Sequence, residues 1–188
     1  MAITPETFKA LLAHLAGAVT IITTRGADGQ IWGFTASSVC SVSLEPPLVL
    51  FCLEHTADCH PAFLESSVFA INFLSSEQSG LSALFAMKGA VKYRETPFTE
   101  GAFHLPLLPG ALVHLECSVY ARYPGGDHTI IVGQVEGGSQ TTAQDSLQPL
   151  LYYARSYGTF AGLSEAKAGY PNSNSSMQKS RQRLILDE

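Results

Sequence analysis

The sequence predicts a mainly β protein, an antiparallel barrel with a few short helices at its rim. Three observations lead there. About seven runs rich in β-branched, aromatic and aliphatic residues punctuate the chain. Turn segments that favour hairpins, Gly26-Ala-Asp-Gly29 and Pro124-Gly-Gly-Asp127, stand between successive runs. Apolar residues at helical spacing occur only in short stretches.

Taken in order, Thr4-Pro5-Glu6 starts a helix, with an N-cap hydroxyl, proline at the first position and an acid in the first turn. Phe8, Leu11, Leu12 and Leu15 then share one face, and Gly17 is the stop. Residues 18–24 are dominated by β-branched side chains and form a strand, paired in a hairpin with the strand that begins at Ile31. Pro46 and Pro47 cannot donate to a sheet ladder, so they precede the strand over residues 48–53. Thr56 or Asp58 caps a short helix through Phe63 and Leu64, and residues 68–74 form a buried strand. Ser75 with Gln78 makes a capping box ahead of a helix that carries Leu81, Leu84 and Phe85. Residues 87–109 lack any sustained period and read as one long surface connection, a kind of loop that is often functional. Over residues 111–123, Ala111, Val113, Leu115, Cys117, Val119 and Ala121 alternate with mostly polar neighbours, which gives a strand with one buried face. Residues 128–135 are its hairpin partner. Tyr152, Tyr153, Tyr157 and Phe160 sit in an apolar run and read as core. Residues 1–163 therefore form one domain. Residues 164–188, with Lys179, Arg181 and Arg183, read as a polar tail that is flexible or laid over a neighbour.

The stretch over residues 31–53 carries the densest chemistry. Thr35, Ser37, Ser38, Ser41 and Ser43 lie between two apolar segments. Such hydroxyls either satisfy their own turns or, with free backbone N–H groups, bind an anion such as a phosphate.

Composition limits the classes open to the chain. Of its 188 residues 46% are hydrophobic and only 14% charged, against about a quarter in ordinary domains. So little charge leaves surface for a partner to cover, and a homodimer is the simplest partner. The net charge of −5 argues against nucleic acid or an anionic membrane as the main partner. With no signal-like N-terminus and no long apolar run, the reading is a cytoplasmic protein. Cys40, Cys52, Cys59 and Cys117 form no Cys-x-x-Cys pair and read as reduced, buried, small hydrophobes. His55, Cys59 and His60 lack a regularly spaced fourth ligand, so no metal is expected. There is no Gly-x-Gly-x-x-Gly after a strand, no Walker loop and no Gly-x-Ser-x-Gly elbow.

Gly33-Phe-Thr-Ala-Ser-Ser followed by Ser41-Val-Ser-Leu-Glu-Pro-Pro-Leu resembles the flavin-binding segment of the short-chain flavin reductase family, whose fold is the FMN-binding split barrel. Gly17-Ala-Val-Thr-Ile-Ile-Thr-Thr, Phe69-Ala-Ile-Asn-Phe-Leu with Gln78 and Phe85, Leu108-Pro-Gly-Ala-Leu-Val-His-Leu-Glu-Cys, Gly126-Asp127-His128 and Pro149-Leu-Leu-Tyr-Tyr with Arg155 and Tyr157 continue the resemblance in order. It covers roughly residues 8–160. One departure is Lys92-Tyr93-Arg94, where the family often has a basic residue followed by Phe.

The resemblance implies an oxidoreductase in which NADH or NADPH passes a hydride to FMN or FAD, with the reduced flavin supplied to a separate monooxygenase. It assigns Thr35, Ala36, Ser37, Ser38, Ser41, Cys52, Leu53, Thr56, Phe85, Lys92 and Tyr157 to cofactor binding and His128 to the nicotinamide side. In particular, Thr35, Ser37 and Ser38 hold the phosphate and ribityl chain, backbone at Cys52 and Leu53 edges the ring, and Tyr152, Tyr153 and Tyr157 have stacking near the nicotinamide as the alternative to a place in the core. On turn chemistry alone His128 is a strand-start histidine bonded to Asp127. Two other functions stay open: a flavoenzyme with tightly bound FMN that reduces a nitro compound or quinone directly, and a flavin-binding protein without catalysis.

Overall fold

A computed structural model describes residues 2–89, 91–141 and 147–162. The expected tail over 164–188 lies outside the described residues. Helix α1 (Pro5–Leu12) is capped by Thr4, whose Oγ1 accepts the Thr7 N–H at 3.2 Å. Its apolar residues are not buried by the chain itself: Phe8, Leu11, Leu12 and Leu15 are all exposed. Strand β1 (Gly17–Ala18) belongs to a small sheet at the edge of the molecule, described below with its partners.

The main sheet contains β2 (Thr20–Arg25), β3 (Ile31–Ala36), β4 (Cys40–Ser43), β5 (Leu48–Glu54), β6 (Val68–Phe73) and two long strands, β9 (Val113–Gly125) and β10 (His128–Gln140). Between them in sequence come α2 (His60–Glu65), α3 (Ser79–Ala86), α4 (Val91–Glu95) and a two-stranded flap, β7 (Thr99–Glu100) with β8 (Pro106–Leu107). All pairs in the main sheet are antiparallel, in the order β3-β2-β6-β9-β10-β5-β4. The edge strands β3 and β4 are consecutive in the chain, and this forces the shape. A flat sheet of this width would hold its edges about 29 Å apart. Residues 37–39 let Ala36 and Cys40 stand at most about 15 Å apart. The sheet therefore curls into a barrel whose ladder is left open between β3 and β4: a split barrel.

Strand β2 shows why its sequence is β-branched without alternation. Ile22 faces the barrel core with Phe51, Phe63, Phe69 and Ile131, while Ile21 joins a second cluster with Leu74, Phe85 and Leu108. Both faces are buried, so both must pack well. Its threonines are buried as well, and each hydroxyl has an acceptor: Thr20 donates to the Ala36 carbonyl at 2.8 Å, Thr23 to that of Pro106 at 2.6 Å, and Thr24 to that of Val68 at 2.7 Å. Asn72 completes the layer. Its amide donates to the Ile21 carbonyl at 2.9 Å, and its Oδ1 accepts the Leu108 N–H at 2.9 Å.

Several expectations are corrected. The 87–109 connection is not structureless: it holds α4, the β7–β8 flap and a 3-10 turn at Ala102–His104. Neither Thr56 nor Asp58 caps α2. The N-cap is Cys59, the Thr56 hydroxyl donates to Glu54 Oε1 at 2.7 Å, and Asp58 accepts the Gly89 N–H at 2.7 Å. Strand β10 runs five residues further than expected, to Gln140, through register shifts near Gly133 and Gly137. Of the four cysteines, which are all free, Cys59 and Cys117 are buried, whereas Cys52 is half-buried and Cys40 exposed on an edge strand. The tyrosines near the C-terminal end are not core either. In the small sheet, β1 pairs with β11 (Leu151–Tyr153), which pairs with β12 (Ser156–Gly158). Tyr152, Tyr153, Tyr157 and Phe160 are exposed there.

Candidate functional site

The split in the barrel opens into a cleft of about 360 Å³, within the range of about 300–1,000 Å³ usual for small-molecule sites. One wall is the end of β3 and the link that follows it, residues 34–38. The end of β5, residues 52–54, and residues 57–59 form the second wall. The third is built from Phe85, Ala86, Met87, Lys88 and Lys92, and His128 stands at the start of β10. Thr35, Ala36, Ser37, Ser38, Cys52, Leu53, Phe85, Lys92 and His128, widely spaced in sequence, are thereby brought together.

Ser41, Thr56 and Tyr157 do not line it. Ser41 lies opposite Val49 within β4, Thr56 bonds Glu54, and the Tyr157 hydroxyl is 2.9 Å from Ser82 Oγ behind the β3 wall. Glu54, Asp58, Cys59, Met87 and Lys88 line the cleft without having been singled out as cofactor contacts. For Lys88 the available signal was a cation beside Gly89 just after a helix.

The hydroxyls of the link have different roles. Thr35 Oγ1 donates to the Ser82 carbonyl at 2.6 Å and so fixes β3 to α3. Beyond the last β4 partner, Cys40 opposite Leu50, the Cys52 N–H is left without a ladder mate. Ser38 Oγ accepts it at 3.1 Å, a stitch across the split. Ser37 is exposed, and its hydroxyl has no hydrogen-bond partner among the described residues. It is the hydroxyl free for a ligand.

At the mouth, the turn through Gly126 (φ 75°) presents Asp127 and His128. His128 Nδ1 lies 2.6 Å from Asp127 Oδ1. An ionised carboxylate only accepts, so Nδ1 carries the hydrogen and Nε2 is left for the cleft. The same bond holds the Asp127 carboxyl below its ordinary range. Nearby, the His55 and His60 rings meet edge-on at 5.1 Å, and His60 Nε2 is 3.0 Å from Thr129 Oγ1. Burial first, and His55 second, lower the His60 pKa.

The thiols are not nucleophiles. Burial raises the Cys52 pKa and pushes Cys59 up to about 11, so both stay protonated at neutral pH. The cleft is built to bind and orient. A flavin would fit that chemistry: the cleft combines an apolar lining at Phe34, Ala57 and Met87, strand backbone at Cys52 and Leu53, and polar groups at Ser37 and Lys88, whereas the Phe85 and Leu53 side chains are buried behind it.

Comparison with known proteins agrees with that chemistry. Residues 12–161 match the family model described as the flavin reductase like domain. The reductase subunit HsaB of a flavin-dependent monooxygenase from Rhodococcus jostii is 37% identical over 156 residues, 83% of this chain and 78% of that protein. A flavin reductase (NADH) from Kitasatospora aureofaciens is 38% identical over 154 residues, 81% of this chain and 80% of that protein. An NADH:FAD oxidoreductase from Streptomyces globisporus, solved with NAD and FAD fragments, superposes with a TM-score of 0.78 at 28% identity, covering 88% of this chain and 99% of that one. The open barrel, its cleft and the match over most of the described residues make this chain a member of the flavin reductase-like domain family.

Proposed function

We propose that this protein is an NAD(P)H:flavin oxidoreductase that supplies reduced FMN or FAD to a separate monooxygenase component. The observation that carries the reading is a cleft joining the exposed Ser37 hydroxyl, an apolar lining at Phe34, Ala57 and Met87, and the His128 imidazole. The relatives' names, a reductase subunit of a monooxygenase and an NADH-dependent flavin reductase, support it.

The bound flavin supplies the hydride-accepting ring, and the chain supplies position and electrostatics. Ser37 donates its hydroxyl to the flavin tail. Phe34, Ala57 and Met87 would shield the ring's apolar part from water, and the Ser38 stitch fixes the Cys52 backbone that lines the same cleft. His128, with its tautomer set by Asp127, offers Nε2 to the nicotinamide carboxamide or a phosphate. The Cys52 and Cys59 thiols, whose pKa values burial raises, take no part in the scheme.

The chain acts as a homodimer in this reading. The exposed apolar face of α1, the exposed Tyr152, Tyr153 and Phe160, and the 14% charged fraction support a second copy as the cover. Sedimentation at micromolar concentration should give twice the 20.1 kDa chain mass, and a monomer would count against it. No helix among the described residues is long and apolar enough to cross a membrane. Free thiols such as the exposed Cys40 suit the reducing cytoplasm. Assaying NADH and NADPH oxidation with added FMN or FAD tests the function: saturable turnover that depends on free flavin supports it, and none with any pair overturns it.

A further inference from the structure

Among the described residues Lys92 is the only buried charged side chain, 5% exposed. Its ammonium has three N–H donors. One reaches the Met87 carbonyl at 2.6 Å and another that of Phe85 at 3.3 Å. Both acceptors lie at the C-terminal end of α3, where carbonyls lack helical partners and carry the negative end of the helix dipole. Nζ stands 5.8 Å from the Phe85 ring centre and 5.2 Å from that of Tyr93, within cation–π range. No carboxylate lies within 4.0 Å of it among the described residues. The adjacent segment, residues 87–89, is held at both ends: Lys92 takes the Met87 carbonyl, and Asp58 takes the Gly89 N–H at 2.7 Å. Gly89 has φ +106°, a conformation that suits glycine and lets the strap turn. Met87 and Lys88 on that strap are exposed and line the cleft.

We propose that Lys92 is a positioning residue: it fixes residues 87–89 as a wall of the cleft, and Lys88 on that strap meets the anionic end of the flavin in its stead. The inference rests on the flavin pocket proposed above. The partners its ammonium has are helix carbonyls, which already occupy two of its three donors, and rings, while burial pulls the Lys92 pKa down against the upward pull of Cys59 and Asp58.

The test compares wild type, Lys92→Met and Lys88→Ala in three measurements. These are amide hydrogen exchange at Gly89 in the ligand-free protein, the Kd for FMN, and the Kd for riboflavin, which has the same ring without the phosphate. Lys92→Met should speed Gly89 exchange about tenfold or more and weaken both flavins by the same factor. Lys88→Ala should weaken FMN about tenfold, leave riboflavin unchanged and leave Gly89 exchange unchanged. Selective loss of FMN in Lys92→Met with normal exchange would overturn the proposal, since Lys92 would then be the phosphate ligand. If Lys92→Met does not fold, Lys88→Ala decides: an unchanged ratio of the two Kd values overturns it. Wild-type protein that binds neither flavin would sink the pocket reading, and the exchange measurement would still settle whether Lys92 holds the strap.

Discussion

Replacing Gly33 with alanine tests how tightly the β3 wall is fitted. In an ordinary strand Gly→Ala is favourable by about 0.5–1 kcal/mol, because glycine has more chain entropy to lose. Here a Cβ would stand 2.8 Å from the Ile22 carbonyl oxygen, 3.1 Å from Thr23 Cγ2 and 3.3 Å from Phe85 Cε1. The first neighbour is backbone in the β2–β3 ladder, and it cannot yield without disturbing the pair Ile22–Phe34. The Tyr93 hydroxyl, which donates to the Gly33 carbonyl at 3.0 Å, holds the other side. Overpacking of this kind costs about 1–3 kcal/mol, which outweighs the entropic gain. Net of that gain the cost is about 1–2 kcal/mol, so at about 2–4 °C per kcal/mol for a domain of this size Gly33→Ala should lower Tm by about 2–8 °C. Flavin affinity should fall with it, because Phe34 and Thr35, which follow Gly33 in β3, line the cleft. Thermal unfolding by circular dichroism and fluorescence titration with FMN measure both. A Tm equal to or above wild type would show that the backbone gives way easily and that the packing argument is wrong.

Three further outcomes are expected. Ser37→Ala should raise the flavin Kd at least about tenfold with little change in Tm, since its hydroxyl has no partner among the described residues; an unchanged Kd would mean the tail is held elsewhere. His128→Ala should raise the NADH KM or slow hydride transfer at saturating flavin while the flavin Kd stays nearly constant, and the reverse pattern would reassign the imidazole. Burial pushes Cys59 up to about 11, and Tyr93 and Cys117 up to about 12, from ordinary values of 9.0, 10.0 and 9.0. Each holds its proton more tightly folded than unfolded, so the stability it contributes is whole below its ordinary value and lost as pH rises through the folded one. Urea unfolding should weaken from about pH 9 towards 12, by at most about 1.4 kcal/mol per pH unit for each group, and less steeply in Cys117→Ala.

The parts of the fold that local chemistry dictates were legible. The capping pattern of α1, the β-branched run of β2 and the glycine turn before His128 each carry their own signal. What local pattern could not convey was assembly. Helix α1 has a clear apolar stripe, yet periodicity does not say whether the covering surface lies in the same chain. The turn between β11 and β12 places Ala154 (φ 49°) and Arg155 (φ 63°) in the left-handed region, where Asn-Gly would be usual, so no turn signal marks the hairpin. Resemblance pointed to the hydroxyl link and to His128, but what sets Thr35 and Ser38 apart from Ser37 is a partner 47 and 14 residues away, respectively. Residues 87–89 carry no pattern of their own because the strap is held from outside it, by Asp58 at a separation of 31 residues from Gly89 and by Lys92, whose bond to the Met87 carbonyl depends on how α4 folds back.

Anaerobic mixing of the protein with NADH and free FMN is the most direct test of the central claim. The account predicts loss of the visible flavin absorbance at a rate proportional to protein concentration, with one NADH consumed for each flavin reduced and, on admitting oxygen, return of the oxidised spectrum. Flavin that binds to the protein but keeps its oxidised spectrum in the presence of NADH or NADPH would contradict it and leave a flavin-binding protein without reductase activity.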